Sequence, residues 1–134
     1  MKKFVDTSNT KGRPDGHYAS VIQDIAKQGV CPFCAENIAN YHKKEITTKK
    51  FWLVTESMYP YKPTRKHFLL IHREHIAHIQ EISAEAWVEL QEIIKDLTLS
   101  NDITGGSLML RFGDTKFTGA SVTHLHAHII QSDP

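Results

Sequence analysis

The segment "THLHAHII", residues 123–130, places histidines at 124, 126 and 128 with only Leu125 and Ala127 between them. No other stretch restricts the backbone as strongly. On a helix, positions 124 and 128 share a face and 126 points nearly opposite; on a strand all three point to one side, roughly 7 Å apart at alternate positions. Val122, Thr123, Ile129 and Ile130 flank the histidines, and β-branched residues of this kind suit a pleated surface. The segment therefore reads as a strand, with Leu125, Ala127 and Ile129 facing a core and three imidazoles lining the other side.

What surrounds that strand is one domain. At 134 residues with 40% hydrophobic content, the chain can bury one core and is too short for two. We expect a single domain over residues 1–134, with residues 1–16 as a flexible N-terminal segment whose stretch 6–16 is dense in Asp, Ser, Asn, Gly and Pro. After Asp15, a candidate cap, Tyr18, Val21, Ile22, Ile25 and Ala26 follow helical spacing until Gly29. "ITTKKFWLVTE" and "KHFLLIH" read as a pair of strands on either side of the turn "YPYKP". Ser83 is placed to cap the longest helix, whose stripe Trp87, Leu90, Ile94 and Leu97 reads as core-facing, ending before Asn101. "SLMLRF" and "SVTHLHAHII" add two strands, joined by the loop "GDTKFTGA". Strands that cluster without regular strand–helix alternation predict an α+β fold, an antiparallel sheet packed with helices.

Charge and cysteine usage narrow the chemistry. Sixteen basic and fifteen acidic side chains leave a formal charge of +1, and no face-long Lys/Arg run offers a nucleic-acid backbone a partner. A small polar ligand is the better match. The opening residues contain no secretory apolar segment and no run reaches membrane-spanning length, so neither a membrane partner nor export is expected, and the location expected is cytoplasmic. The two cysteines stand together as "CPFC", spacing that suits a metal knuckle or a redox pair rather than a disulfide scaffold. A Gly-, Ser- and Thr-rich loop runs directly into the histidine strand, and such loops offer N–H groups and hydroxyls to anions. Imidazoles beside an anion cradle suggest phosphate chemistry, because neutral imidazole is nucleophilic near neutral pH without further activation.

"HLHAHII" resembles the alternating histidine–hydrophobic signature of the histidine-triad (HIT) superfamily of nucleotide hydrolases and transferases. "HFLLIHREHIAHI" is similar to that family's histidine, hydrophobic strand and second histidine, and "CPFC" stands near the usual distance upstream, so the resemblance covers roughly residues 31–130. It implies a HIT-like antiparallel sheet and a small-molecule nucleotide substrate, attacked at the α-phosphorus by His126 to form a covalent nucleotidyl-imidazole. His128 is implied to hold phosphate oxygens or assist the leaving group, and His67 to orient the catalytic imidazoles, against the plainer reading of a hydrogen-bonded strand histidine. Ser121 corresponds to a hydroxyl near the phosphate, with backbone groups around Gly119 and Ala120 completing the cradle. Zinc-containing members further imply a structural zinc on Cys31, Cys34, His75 and His124. A homodimer is also implied. His17, His42, His72 and His78 match no role and are read as surface or packing residues.

"RFGDTKFTGAS" is longer than its counterpart in the nucleoside-phosphoramidase branch, lacks that branch's asparagine, and looks like the dinucleoside-polyphosphate-cleaving branch. Where many members carry an aspartate for the ribose hydroxyls, this chain reads "SMYPYK", leaving nucleoside recognition unassigned. Two alternatives stay open: a zinc hydrolase in which His124, His126 and His128 all bind metal, and a nucleotide-binding sensor without turnover.

Overall fold

The computed structural model describes residues 4–10 and 16–134, so Asp15, the candidate cap, lies outside the described residues. Five strands form one antiparallel sheet: β1 (Ile46–Thr48), β2 (Trp52–Glu56), β3 (Thr64–His72), β4 (Ser107–Arg111) and β5 (His126–Ser132), in the order β1-β2-β3-β5-β4. Four helices accompany them: α1 (Gly16–Gln28), α2 (Ile38–Tyr41), α3 (Ala84–Ser100) and α4 (Thr115–Thr118). This is the α+β architecture expected. None of the described helices is long and apolar enough to cross a membrane.

The expected strand over 46–56 is a hairpin. Lys49, Lys50 and Phe51 turn the chain, and β1 folds back on β2 with Ile46 opposite Thr55. No Gly or Pro marks this turn. It is held from outside: Glu89 of α3 accepts hydrogen bonds from the Phe51 and Trp52 amides, and Arg73 donates to the carbonyls of Lys49 and Lys50.

The face of the sheet opposite the imidazoles packs on α3. Trp52, Phe68, Leu70, Leu125, Ala127 and Ile129 meet Ala86, Leu90 and Ile93 there, placing the three predicted apolar positions of the histidine segment in the core. Ser83 caps α3 as predicted, accepting from the Ala86 amide at 3.1 Å. The inward stripe is rotated from the expected one, however, and Trp87 stays 41% exposed. The methyl of Ala86 lets the sheet come close enough for the Trp52 indole to donate to the Ala86 carbonyl at 2.8 Å.

Two further corrections concern the approach to β5. The segment "GDTKFTGA" is not wholly loop: Asp114 accepts from the Lys116 amide to start α4, and Gly119 ends it in the left-handed conformation at φ 72°. The last strand begins at His126 and not at Ser121, because Val122 forms a bridge with Val5 and the Thr123 amide donates to the Phe4 carbonyl. These bonds draw residues 121–123 away from the sheet. Within the stretch expected to be flexible, Val5 and Asp6 are thus buried and Thr7–Thr10 forms a 3-10 turn.

Candidate active site and metal centre

Register decides what stands beside each histidine, because residues paired across an antiparallel ladder project to the same side. His126 is paired with Ile71 of β3 and Arg111 of β4, and His128 with Leu69 and Met109. His67 lies opposite Ile130 on that face. α1, α2 and the N-terminal segment cover this side, so both imidazoles of β5 are only 5% exposed. They line a cavity of about 180 Å³ together with His67, Arg111, Gly119, Ala120 and Ser121.

Hydrogen bonds assign the ring protons. His126 Nδ1 lies 2.7 Å from the His124 carbonyl, which can only accept, so Nδ1 carries the proton and Nε2 of the neutral ring keeps its lone pair. Burial pushes the His126 pKa down to about 4; the bond to the His124 carbonyl opposes that shift and the Arg111 guanidinium adds to it. In the second ring pair the Tyr61 amide donates to His67 Nδ1 at 3.1 Å, so His67 holds its proton on Nε2 and donates it to His128 Nδ1 at 2.8 Å. The proton of neutral His128 is therefore on Nε2. The two rings of β5 are 5.0 Å apart and carry opposite tautomers, one presenting a lone pair and the other an N–H donor.

The third histidine of the row turns elsewhere. His124 Nδ1 lies 3.5 Å from Cys31 Sγ, 3.7 Å from Cys34 Sγ and 3.1 Å from His75 Nδ1, while Cys34 Sγ is 3.3 Å from His75 Nδ1. Sulfur and nitrogen ligands at ordinary zinc distances stand about 3.5 Å apart at the corners of a tetrahedron, so these separations suit a four-ligand ion. His124 Nε2 donates to the His72 carbonyl, which leaves Nδ1 free of a proton and fixes the ring plane, as ligating histidines require. Burial, above all, lowers the His124 pKa to about 4 and keeps the ring neutral. Among the described residues this is the group of His, Cys, Asp or Glu side chains whose donor atoms converge within 4.8 Å.

Sequence reasoning had no role for several residues found here. Arg111 lies on the cavity side next to His126, its guanidinium 5.9 Å from the centre of the Tyr61 ring and its buried Nε without a hydrogen-bond partner among the described residues. Strand parity could have placed it, since it closes "SLMLR" in register with a histidine. The Tyr18 hydroxyl of α1 contacts Ser121 Oγ, and Asn9 reaches the loop after β4; nothing local in the sequence announces either contact. "SMYPYK" contributes Ser57, Met58, Tyr59 and Tyr61 to the cavity, and Ile22, Ile25, Phe33, Tyr41 and Leu69 supply an apolar wall. His42 and His72 are buried, His42 Nε2 lying 2.7 Å from Thr55 Oγ1.

A central strand that directs two imidazoles of opposite tautomer into one cavity and a third into a cysteine cluster defines a histidine-triad domain. A family model described as HIT domain matches residues 35–134, and the chain belongs to that family. Solved structures with the same fold include a HIT family hydrolase from Clostridium thermocellum, 23% identical with a TM-score of 0.61, the match covering 78% of this chain and 90% of that one. A Zn-bound histidine triad family protein from Mycobacterium smegmatis is 18% identical with a TM-score of 0.61, covering 78% of this chain and 76% of that one. The diadenosine triphosphate hydrolase of Plasmodium falciparum is 22% identical with a TM-score of 0.56, covering 68% of this chain and 63% of that one. No curated protein matches the sequence.

Proposed function

We propose that the protein cleaves, or transfers at, the α-phosphate of a nucleotide or dinucleoside polyphosphate through a covalent nucleotidyl-histidine on His126. The observation that carries this reading is the Nδ1 bond from His126 to the His124 carbonyl, which leaves the other ring nitrogen unprotonated in a cavity largely closed to water. His126 Nε2 attacks the α-phosphorus, a P–N bond forms, and the bond from phosphorus to the leaving group breaks. The His128 Nε2–H hydrogen-bonds to the departing oxygen, which leaves as a phosphate anion while His128 stays neutral. In the second step water attacks the phosphorus, the P–N bond breaks with its electron pair returning to His126 Nε2, and the water proton leaves with the phosphate products, restoring the neutral ring. Charge that develops on the phosphoryl oxygens would be met by Arg111, Ser121 and loop amides. Because the Ala120 amide is already bonded to Thr118 Oγ1, the loop donors would be the amides on either side of it.

The test is to quench the protein with dinucleoside polyphosphates, nucleoside phosphoramidates and sugar nucleotides, and search by mass spectrometry for products and for a nucleotidyl adduct. Turnover with no adduct on His126 at any quench time would overturn the covalent route. A nucleotide-binding sensor predicts binding with neither adduct nor product. The rival with three histidines on one metal conflicts with the ring directions, since His124 faces the cysteines and Nδ1 of both other rings is engaged in hydrogen bonds.

The sheet order supports a polyphosphate substrate. Leu69 and Phe33 of the apolar wall stand on the β3 side of β5 and Arg111 on the β4 side, so a nucleoside against those two side chains directs its further phosphates toward the guanidinium. Arg111→Gln should lower kcat/KM for diadenosine triphosphate by roughly 10- to 100-fold, the worth of a charge-assisted hydrogen bond, and for adenosine 5′-phosphoramidate much less. Equal losses on the two substrates would remove this role.

Gly119 and Ser121 should matter more to catalysis than to folding. A Cβ on Gly119 would lie 3.2 Å from Arg111 Nη1, and the left-handed φ disfavours any branched residue there. Gly119→Val should reduce kcat by about tenfold or more, through the displaced loop and guanidinium, against a strain cost of about 1–2 kcal/mol. Ser121→Ala should reduce kcat by a smaller factor at near-normal melting temperature. Kinetics and melting on the same samples separate the effects, and parallel losses would point to packing.

We infer that the cysteine–histidine cluster holds zinc. Two thiolates and two imidazoles form a closed shell, which stabilises structure and offers no open position for substrate. The likeness to a Zn-bound relative and the tetrahedral ligand separations support this reading.

A further inference from the structure

The N-terminal residues precede the matched family domain, yet they hold its phosphate loop at both ends. Asn9 Nδ2 donates to the Thr115 carbonyl at 2.9 Å, at the start of α4, and to the Ala120 carbonyl at 2.6 Å, just past its end. Beside it, the buried Asp6 carboxylate accepts from Thr115 Oγ1 at 2.6 Å, and the Asp6 amide donates to the Ser121 carbonyl at 2.7 Å. The two protons of one side-chain amide thus span the whole turn.

Peptide planarity gives this span a consequence. A trans peptide points its carbonyl and its N–H in opposite directions, and the Ala120 carbonyl shares its plane with the Ser121 N–H. Whatever fixes that carbonyl fixes the direction of that donor. Likewise, the Thr115 carbonyl shares its plane with the Lys116 N–H, which is bound to Asp114.

We propose that Asn9 is a positioning residue of the active site: by gripping the Thr115 and Ala120 carbonyls it sets the direction in which the Ser121 N–H meets a phosphoryl oxygen. This rests on the reading that the loop binds the phosphate attacked by His126. Asn9 lines the same cavity, but both of its Nδ2 protons are spent on the two loop carbonyls, so it acts through the loop backbone and its loss falls on kcat and not on ground-state binding. The residues outside the family domain thereby become part of its catalytic apparatus.

The experiment uses the full chain with Asn9→Asp, which keeps the side-chain shape but sets carboxylate oxygens against two carbonyls, and Asn9→Ala beside it. On a nucleotide substrate both variants should lose roughly 10- to 100-fold in kcat, of the order of removing one well-aimed donor, with KM changed by less than about threefold. Amide hydrogen exchange should accelerate across residues 115–121 while β3 and β5 keep wild-type protection. A kcat within about twofold of wild type, or exchange that accelerates equally in the strands, overturns the proposal. Should the wild-type chain turn over no nucleotide, the cleavage reading fails separately, and loop exchange decides for Asn9: faster exchange across residues 115–121 with strand protection kept supports the grip, and unchanged loop exchange in the variants overturns it.

Discussion

On the proposed mechanism His126→Ala should lose at least about a thousandfold in kcat while still binding nucleotide, because the substitution removes the nucleophile and leaves the cavity's phosphate-facing groups in place. His126→Gly behaves alike and opens more space. The loss is large because neighbouring histidines cannot substitute. His124 is turned to the cysteine cluster, and His128 presents a protonated Nε2 as long as His67 donates to its Nδ1. Binding survives because Arg111, Ser121 and the apolar wall lie on other strands and loops. Steady-state kinetics beside isothermal titration with a nucleoside monophosphate makes the comparison. Near-normal kcat in either variant would remove the covalent mechanism, and loss of binding together with folding would make His126 a core residue.

The second large effect is on stability. As purified, the protein should carry about one zinc per chain, and Cys34→Ser should lower both metal content and melting temperature while molecules that remain folded keep some activity. The cluster joins three parts of the chain: the segment before α2, the turn after β3 and the residue two places before β5. Removing one thiolate therefore loosens the covering layer from the sheet, a loss of several kcal/mol where the metal contributes to folding free energy. Elemental analysis, melting with and without chelator, and kinetics on the same preparation read all three. Metal-free protein of normal stability would remove the zinc assignment and leave His126 unaffected. Immediate loss of turnover on chelation, in protein that stays folded and recovers with added zinc, would move the metal into the reaction.

Much of the site was legible because alternation and spacing are local signals. The period of two in "HLHAHII" predicted which residues enter the core, and Leu125, Ala127 and Ile129 do so. The cysteine pair, His75 and His124 do converge, an arrangement the family resemblance implied and spacing alone left open. What was missed depended on distant partners. The β1–β2 turn is held by Glu89 and Arg73, the rotation of α3 by the fit of Trp52 against Ala86, and the late start of β5 by Val5 and Phe4. Asn9 in a polar, glycine-rich stretch looks like a loop residue until its carbonyl partners, 106 and 111 positions later, are known. Periodicity in a short window carries no information about contacts of that range.

The strand order also sets a timetable. β5 is the last strand along the chain but lies inside the sheet, hydrogen-bonded to β3 on one side and β4 on the other. While the chain emerges from the ribosome, β1, β2 and β3 can fold into their meander early, but β3 must wait with an unpaired edge until β5 is made. Val5 and Phe4, made before the strands, wait still longer for Val122 and Thr123. A nascent chain halted before His126 therefore has neither a closed sheet nor the pair of imidazoles that line the cavity. Synthesis of β5 and closure of the cavity are linked by topology, and the interval before β5 is made is when exposed strand edges most need a chaperone.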